Sequence, residues 1–334
     1  MEYRRLGGTG TMVSELCLGT MTFGRELDEA GSGDILNRFL EAGGNFVDTA
    51  DVYEAGFSEE ITGKALKNAG IDREDVVLAT KVRMPMGDGP NDVGLSRKHI
   101  MAGCESSLRR LGTDYVDLYQ VHMWDAATPL EETLSALTDL VRSGKVRYIG
   151  CSNYTAWQLM KALWISDKEG FERFVTLQPQ YSLVERNIER ELLPACVSEG
   201  VGVLPWGPLG GGFLSGKYRR DEKPPEDSRI AGATDDLEEA WQRRATEQNW
   251  RIIDVVQSIS DETGKSFPQI SLNWLLRQLG VTAPILGARK VEQLEDNLGA
   301  TGWKLTDEQV QNLSEAAALE EVYPHRMIEG FQRV

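Results

Sequence analysis

Four side chains able to take part in carbonyl chemistry lie at the ends of three consecutive apolar segments. Asp48 and Tyr53 belong to the segment NFVDTADVY, Lys81 ends DVVLATK, and His122 ends YVDLYQVH. A polar, titratable residue at the end of a β-strand lies at the rim of the sheet, so three neighbouring strands can bring four such groups together. A tyrosine beside a lysine, with an aspartate and a histidine close by, can protonate a developing alkoxide. The pattern therefore predicts an enzyme.

The four residue types complement one another chemically. A free phenol has a pKa of about 10, which makes Tyr53 a slow acid at neutral pH unless a neighbouring ammonium lowers that pKa. Lys81 would supply the ammonium, and Asp48 would hold Lys81 in a partly buried site. His122 would donate a hydrogen bond to the substrate oxygen and stabilise its growing negative charge. Each residue alone has an ordinary structural explanation, but their order and strand-end positions together favour the catalytic interpretation.

Composition restricts the class of protein. The chain has 334 residues, 41% of them hydrophobic, and a net charge of −16, which disfavours nucleic acid as a partner. A phosphorylated cofactor would therefore need its own local basic pocket. No apolar run of about 18 residues predicts a membrane span, and the N-terminus lacks the apolar region of a secretory signal. The cysteines are far apart and lack zinc-like spacing, which favours reduced thiols in a cytoplasmic protein: Cys17, Cys104, Cys151 and Cys196.

Short β-prone runs recur about every 30 residues, the length of one strand, loop and helix. They end near Leu18, Asp48, Thr80, Val121, Gly150, Leu177, Leu204 and Ile285. Helices are predicted over residues 34–41, 96–111, 129–141, 237–259, 268–279 and 306–319, the last following a TDEQ capping box. The final interval is about 50 residues longer than one unit needs and holds a Gly- and Pro-rich loop and a charged stretch.

Eight such units predict a (β/α)8 barrel, in which active sites lie at the C-terminal ends of the strands. A doubly wound dinucleotide fold is the alternative, and it requires G-x-G-x-x-G directly after the first strand. The first strand here leads instead into LGTMTFG. The barrel is therefore the favoured fold.

Over almost its whole length the chain resembles the aldo-keto reductases, most closely their bacterial and potassium-channel β-subunit branches. The resemblance is carried by NFVDTADVY, LATK, YQVH, IGCSN, LQPQYSLVER and PWGPLGGGFLSGKY. It implies one domain over residues 1–334, a (β/α)8 barrel with an N-terminal β-hairpin, a long loop after strand 7 and extra helices near the C-terminus. It also implies reversible reduction of an aldehyde or ketone with NADPH, without metal or flavin, with the four residues above as the catalytic group.

The family pattern also implies cofactor contacts along the strand ends. Ser152, Asn153 and Gln178 match positions that bind the nicotinamide carboxamide, and Trp206 matches the position that stacks on the ring. The loop after strand 7 would cradle the pyrophosphate. The remaining implied contacts in this part of the chain are Gly19, Thr20, Met21, Asp48, Gly207, Pro208, Leu209, Gly211, Leu214 and Lys217.

The segment after the eighth strand supplies the basic pocket that the acidic chain requires. Phosphate groups bind well at helix N-termini, and Arg289 can form a fork onto a ribose 2′-phosphate. In the family pattern Gln293 and Asn297 reach the adenine side, with Gly287 and Asp296 beside them. The sequence therefore favours NADPH, with NADH as the less favoured alternative.

Loops beyond the catalytic residues are expected to form a partly apolar substrate pocket for a small carbonyl compound. The candidates are Phe23, Phe57, Met84, Met86, Met123, Trp124 and the tail around Tyr323. Two other functions stay open: a sugar or alcohol dehydrogenase working in the oxidative direction, and an NADPH-binding regulatory subunit with slow turnover. The absence of a long interaction tail favours catalysis. The sequence leaves the oligomeric state undecided.

Overall fold

Eight parallel strands form the centre of the molecule in a computed structural model that describes residues 1–225, 228, 230–231 and 240–331. An antiparallel hairpin precedes them, made of β1 (Tyr3–Arg5) and β2 (Met12–Ser14). The barrel strands are β3 (Cys17–Gly19), β4 (Phe46–Asp48), β5 (Val77–Val82), β6 (Val116–Val121), β7 (Val146–Ser152), β8 (Phe174–Gln178), β9 (Gly202–Val203) and β10 (Ile285–Leu286). The predicted (β/α)8 barrel and its N-terminal hairpin are confirmed.

The sheet runs in the order β10, then β3 to β9, and its two edges meet. Val203 of β9 pairs in parallel with Val281, and the Ile285 amide donates to the Pro205 carbonyl at 2.8 Å. Closure removes the exposed edges that an open sheet would have. It also places the carboxyl ends of all eight strands around a single opening.

Helices surround the barrel, and strands and helices mostly alternate along the chain. They are α1 (Glu29–Glu41), α2 (Phe57–Asn68), α3 (Arg97–Leu111), α4 (Leu130–Arg142), α5 (Ala156–Glu169), α6 (Leu192–Glu199), α7 (Trp241–Arg244), α8 (Glu247–Thr263), α9 (Phe267–Leu276), α10 (Val291–Leu298), α11 (Asp307–Ala316) and α12 (His325–Gly330). Within the described residues, none is both long and apolar enough to cross a membrane.

Several predicted helix limits are wrong, and capping residues explain most of the differences. α1 begins five residues earlier than predicted because Asp28 caps it by accepting from the Gly31 amide. The helix predicted over 237–259 is two helices, because the Thr246 side chain caps a new start at α8; residues 237–239 lie outside the described part. Pro129 is the residue before α4 rather than its first residue. α9 and α11 each end three residues before their predicted limits.

The barrel interior is apolar at its N-terminal end and polar at the other. Leu6 and Val13 of the hairpin region pack with Phe46 and Leu118 in one buried cluster that fills the lower barrel. The hairpin is fixed there because the Arg4 guanidinium donates to the carbonyls of Leu276 and Val281. Polar side chains at the strand ends therefore gather around open space at the C-terminal end of the barrel.

Gly63 allows a close approach between two neighbouring helices. A Cβ at Gly63 of α2 would lie 2.3 Å from the Leu111 carbonyl oxygen at the end of α3, whereas a Cβ at Gly33 of α1 meets nothing within 4 Å. We expect Gly63→Ala to lower the free energy of unfolding by about 2 kcal/mol or more through overpacking. The matched control Gly33→Ala should raise it by about 0.5–1 kcal/mol, since alanine is the better helix former. Urea titration measures both, and equal effects would contradict this packing.

Candidate active site

A buried ion pair between Asp48 and Lys81 is the centre of the polar end of the barrel. The Lys81 ammonium is fully buried and lies 2.5 Å from Asp48 Oδ2, with a second hydrogen bond of 2.8 Å to the Thr49 carbonyl. Parallel pairing of β4 with β5 brings the two strand ends together. An ammonium removed from water needs such partners, because an unpaired buried charge is strongly destabilising.

The same ammonium reaches the tyrosine. Lys81 Nζ lies 3.2 Å from the Tyr53 hydroxyl, which is its third partner. Tyr53 follows β4 in a short turn, and its ring contacts the ring of His122 edge-on with 5.9 Å between centroids. The structure thus brings together all four residues that the sequence predicted to act jointly.

Two glutamines hold the other oxygen of Asp48. Gln120 Nε2 donates to Asp48 Oδ1 at 2.9 Å, and Gln178 Nε2 donates to the same atom at 3.0 Å. Gln120 was not predicted. Its position on β6, two residues before His122, indicated that its side chain faces the site. Residues two apart on a strand face the same side, so Gln120 had to face the barrel interior near Asp48.

Electrostatics differ sharply between the lysine and the histidine. Burial lowers the pKa of Lys81, but Asp48 and Tyr53 outweigh it and hold this pKa well above the usual range. Burial, with smaller contributions from Lys81 and Arg83, lowers the pKa of His122 to about 3. Lys81 is therefore charged and His122 neutral at pH 7, so the imidazole can donate one hydrogen bond without carrying charge.

A cavity of about 660 Å³ extends from Tyr53 and His122 across the carboxyl ends of the strands to α10. Most residues predicted to bind the cofactor or substrate oxygen line it. They are Gly19, Met21, Asp48, Tyr53, His122, Ser152, Asn153, Gln178, Trp206, Gly207, Pro208, Leu209, Gly211, Lys217, Gly287, Arg289, Gln293, Asp296 and Asn297. A single elongated space thus joins the catalytic group to the segment after the eighth strand.

Asn153 connects three parts of the wall of this cavity. Its backbone has a positive φ of 53°, which is uncommon for a residue other than glycine. Its side-chain Nδ2 donates to the His122 carbonyl, and its side-chain Oδ1 accepts from the Trp206 indole, each at 3.0 Å. Ser152 beside it donates to the Gln178 carbonyl at 2.7 Å. Asn153 therefore fixes the orientation of the Trp206 ring on one side of the cavity.

The loop after β9 presents main-chain groups to the cavity. Gly207, Gly211 and Gly212 line it with positive φ angles of 62°, 69° and 94°. Glycine adopts such angles without steric cost, and successive amides in these conformations form concave sites for anions. Lys217 also lines the cavity, so a positive charge lies near these amides.

At the far end, Arg289 stands before α10. Its guanidinium lies 3.4 Å from Glu26 and is about one-third exposed. Its amide donates to Gln293 Oε1 at 2.9 Å, which orders the start of the helix. Asp296 accepts from Ser266 and Gln269, so it joins α10 to α9.

Several predicted site residues lie elsewhere. Thr20 is fully buried and bonds Ser58, Leu214 is fully buried in the core, and Phe23 is likewise buried in the core. None of the three lines the cavity, because the segment after β3 and the loop after β9 bury these side chains in the interior. Four of the other substrate candidates, Phe57, Met84, Met123 and Trp124, also lie outside its lining, as do Met86 and Tyr323. Phe57 packs over Gly24, and Trp124 packs edge-on against Tyr154 and Trp157.

Other lining residues were not predicted. They are Thr22, Gly212, Ser215, Pro268, Ile285 and Leu286. Gly212 and Ser215 could have been found, because they belong to the same GGGFLSGK loop as the predicted contacts. Pro268 gave no local signal, since its position depends on how α9 packs beside α10. Among the described residues, no group of three or more His, Cys, Asp or Glu side chains could hold a metal ion.

Known proteins of the same kind match this chain along nearly its full length. The sequence model described as "Aldo/keto reductase family" matches residues 15–318. An uncharacterized oxidoreductase of Bacillus subtilis is 42% identical over 94% of this chain and 95% of its own. A versiconal hemiacetal acetate reductase of Aspergillus parasiticus is 35% identical over 97% of this chain and 99% of its own. A probable voltage-gated potassium channel subunit beta of Arabidopsis thaliana is 37% identical over 90% and 91%. The chain belongs to the aldo/keto reductase family.

Proposed function

We propose that this protein reduces an aldehyde or ketone to the alcohol with NADPH, with Tyr53 as the proton donor. The observation that carries the proposal is the position of one buried ammonium. Lys81 Nζ lies 2.5 Å from Asp48 Oδ2 and 3.2 Å from the Tyr53 hydroxyl, at the catalytic end of the elongated cavity. Membership of a family with oxidoreductase relatives supports the same reaction class.

The proton transfer follows from this geometry. Tyr53 gives its hydroxyl proton to the carbonyl oxygen, and the phenolate left behind is stabilised by the Lys81 ammonium. Bound NADPH supplies the hydride that forms the new C–H bond. Asp48 keeps Lys81 charged throughout. Gln120 and Gln178 in turn hold the Asp48 carboxylate in place beside Lys81. The donor is thus acidified by a fixed charge that belongs to a buried ion pair.

His122 would orient the substrate. A neutral imidazole donates one hydrogen bond, and its low pKa means that this state holds across the physiological range. Its Nδ1 is buried without a hydrogen-bond partner in the protein. With Tyr53 in edge contact, His122 can direct a carbonyl oxygen toward the phenol from the second side.

The cavity fits a dinucleotide in three respects. Its lining runs from the catalytic group to α10, its glycine loop turns main-chain groups toward it at positive φ angles, and Trp206 is held in a fixed orientation by Asn153. Arg289 and the start of α10 provide the basic end that a 2′-phosphate needs in a chain of net charge −16. These features support NADPH over NADH.

Two alternatives use the same residues. In the oxidative direction, Tyr53 would act as phenolate base on an alcohol or sugar, with the cofactor ratio deciding the direction. A regulatory role with slow turnover is suggested by the relative named as a potassium channel subunit beta. Measured turnover separates these: rapid oxidation of NADPH by aldehydes or ketones supports the reductase, rapid reduction of NADP⁺ by alcohols supports the dehydrogenase, and tight NADPH binding without turnover supports the regulator.

Tyr53→Phe removes the proposed acid and keeps the ring. We expect turnover of a panel of aromatic aldehydes, short aldoses and cyclic ketones to fall by about 10²–10⁴-fold, the usual contribution of a general acid. NADPH affinity should change little, because the ring and its contact with His122 remain. Loss of NADPH absorbance follows turnover, and quenching of tryptophan fluorescence follows binding. Near wild-type turnover would rule out Tyr53 as the donor.

Arg289→Ala tests the assignment of the 2′-phosphate. A hydrogen bond to a charged group contributes about 1.5–3 kcal/mol, so NADPH affinity should fall by about 10- to 100-fold. NADH affinity should be nearly unchanged, since NADH lacks that phosphate. The matched control is Lys290→Ala, which removes the neighbouring exposed cation that does not line the cavity. Equal losses for both cofactors, or equal effects of the two variants, would contradict the assignment.

A further inference from the structure

Asp51 is a buried carboxyl that the proposed chemistry leaves without a role. It lies between β4 and the turn that carries Tyr53, and only 1% of its surface is exposed. Neither of its side-chain oxygens has a well-aligned hydrogen-bond partner, and the amide that acts on the carboxyl is that of the next residue, Val52. Most buried polar groups in proteins are hydrogen-bonded, so an exception near an active site calls for an explanation.

The groups around Asp51 come from four elements. Glu59 of α2 is fully buried, and its carboxylate accepts from Thr80 Oγ1 at 2.5 Å and from Arg110 of α3 at 2.6 Å. Lys81 of β5 and the buried phenol of Tyr119 on β6 also face this group. Arg110 is thus engaged by Glu59, as Lys81 is by Asp48. Asp51 has no cation of its own.

This environment favours the protonated carboxyl. Burial, and next the Glu59 carboxylate, raise the pKa of Asp51 to about 7, although the Val52 amide, Arg110 and Lys81 oppose the rise. With Asp51 neutral, the Lys81–Asp48 and Arg110–Glu59 pairs are each neutral, so the buried group has no net charge. With Asp51 ionised, the buried group carries one negative charge in excess.

The loop that holds Asp51 is tied directly to the proposed proton donor. The Thr49 carbonyl accepts from the Lys81 ammonium, and the Asp51 amide donates to the Lys81 carbonyl at 3.2 Å. The Tyr53 amide donates to the Ala50 carbonyl, also at 3.2 Å. A change in charge at Asp51 therefore occurs within the segment that positions both Lys81 and Tyr53.

We propose that Asp51 is a positioning residue that tunes the acid strength of Tyr53 through its own protonation. The proposal rests on Tyr53 acting as the acid, and it adds a regulatory group that is not among the four catalytic residues. A neutral Asp51 leaves the Lys81 ammonium free to stabilise the Tyr53 phenolate. An ionised Asp51 offsets part of that positive charge and makes the phenol harder to ionise.

The sign of the pH effect follows. As the pH rises through neutrality Asp51 loses its proton, Tyr53 becomes the weaker acid, and reductive turnover falls. Below that range Asp51 is neutral and turnover has its higher value. The same ionisation costs stability, because the folded-state pKa of Asp51 is raised: stability is full below the unfolded-state pKa and is lost as the pH rises through the folded-state value.

The test is the pH profile of kcat for Asp51→Asn, with NADPH and para-nitrobenzaldehyde as the probe. We expect wild-type kcat to fall by about three- to tenfold between about pH 6 and about pH 8.5. This size corresponds to a rise of up to about one unit in the pKa of the acid. The Asp51→Asn variant should lack the fall. Asp117→Asn is the matched control, since Asp117 is a mostly buried carboxylate that pairs with Arg73, outside the cavity. A wild-type profile in Asp51→Asn would show a merely structural carboxyl and overturn the proposal.

A second variant moves the transition instead of removing it. Glu59→Gln takes away the carboxylate that raises the pKa of Asp51 and leaves Arg110 as a nearby uncompensated cation. The fall in kcat should then begin at a lower pH than in the wild type. An unmoved transition would contradict the assignment to Asp51.

A measurement without turnover separates this proposal from the proposed function. The ultraviolet phenolate absorbance of Tyr53 is obtained as the difference between each protein and its Tyr53→Phe counterpart. We expect Tyr53 to ionise about one pH unit lower in Asp51→Asn than in the wild type. If wild-type protein turns over no carbonyl compound, the proposed function fails while this shift still supports the charge coupling. Identical phenolate titrations would overturn the coupling even in an active enzyme.

Discussion

Burial of the Lys81 ammonium is the constraint on which the site depends. Removing a charge from water costs several kcal/mol, and only good partners offset that cost. Asp48, the Thr49 carbonyl and the Tyr53 hydroxyl provide them, and Gln120 and Gln178 hold Asp48 in turn. Because Lys81 lies on β5 and these partners come from β4 and the residues after it, β6 and β8, the strands must assemble correctly for the ammonium to be stable. The interaction that supports the proposed chemistry is therefore also one that specifies the fold at this end of the barrel.

The two ends of the barrel differ in role: the N-terminal end is packed with apolar side chains, and the C-terminal end carries the proposed catalytic groups. The hairpin and the apolar cluster below it fill the N-terminal end, where Phe46 and Leu118 pack. The carboxyl ends carry polar groups that a fully packed core would exclude. Between these ends and α2 lies a second polar group, formed by Glu59, Arg110 and Asp51. The charges of the two groups are close enough that the protonation of one acts on the other.

Much of this arrangement could be read from the sequence, because its signals are local. Apolar runs of even spacing gave the eight strands, and a titratable residue at each of three strand ends gave Asp48, Lys81 and His122. Side-chain direction was harder to predict: Thr20 and Phe23 lie in the predicted segment but face the interior. Strand alternation was the only sequence signal for Gln120. No sequence signal marked Asp51, which became evident only from its lack of well-aligned partners in the structure. Pro268 depends on packing between distant helices, which no local pattern encodes.

The central claim is that the charge of Lys81, held by Asp48, acidifies Tyr53. The most direct test is a double variant, Asp48→Asn with Lys81→Met, which removes both charges and leaves no unpaired ion. We expect it to fold and to bind NADPH, since the glycine loop and Arg289 are untouched, and to lose about 10²-fold or more in the rate of carbonyl reduction measured in a single turnover. A double variant that binds NADPH and reduces carbonyl substrates at the wild-type rate would contradict the account.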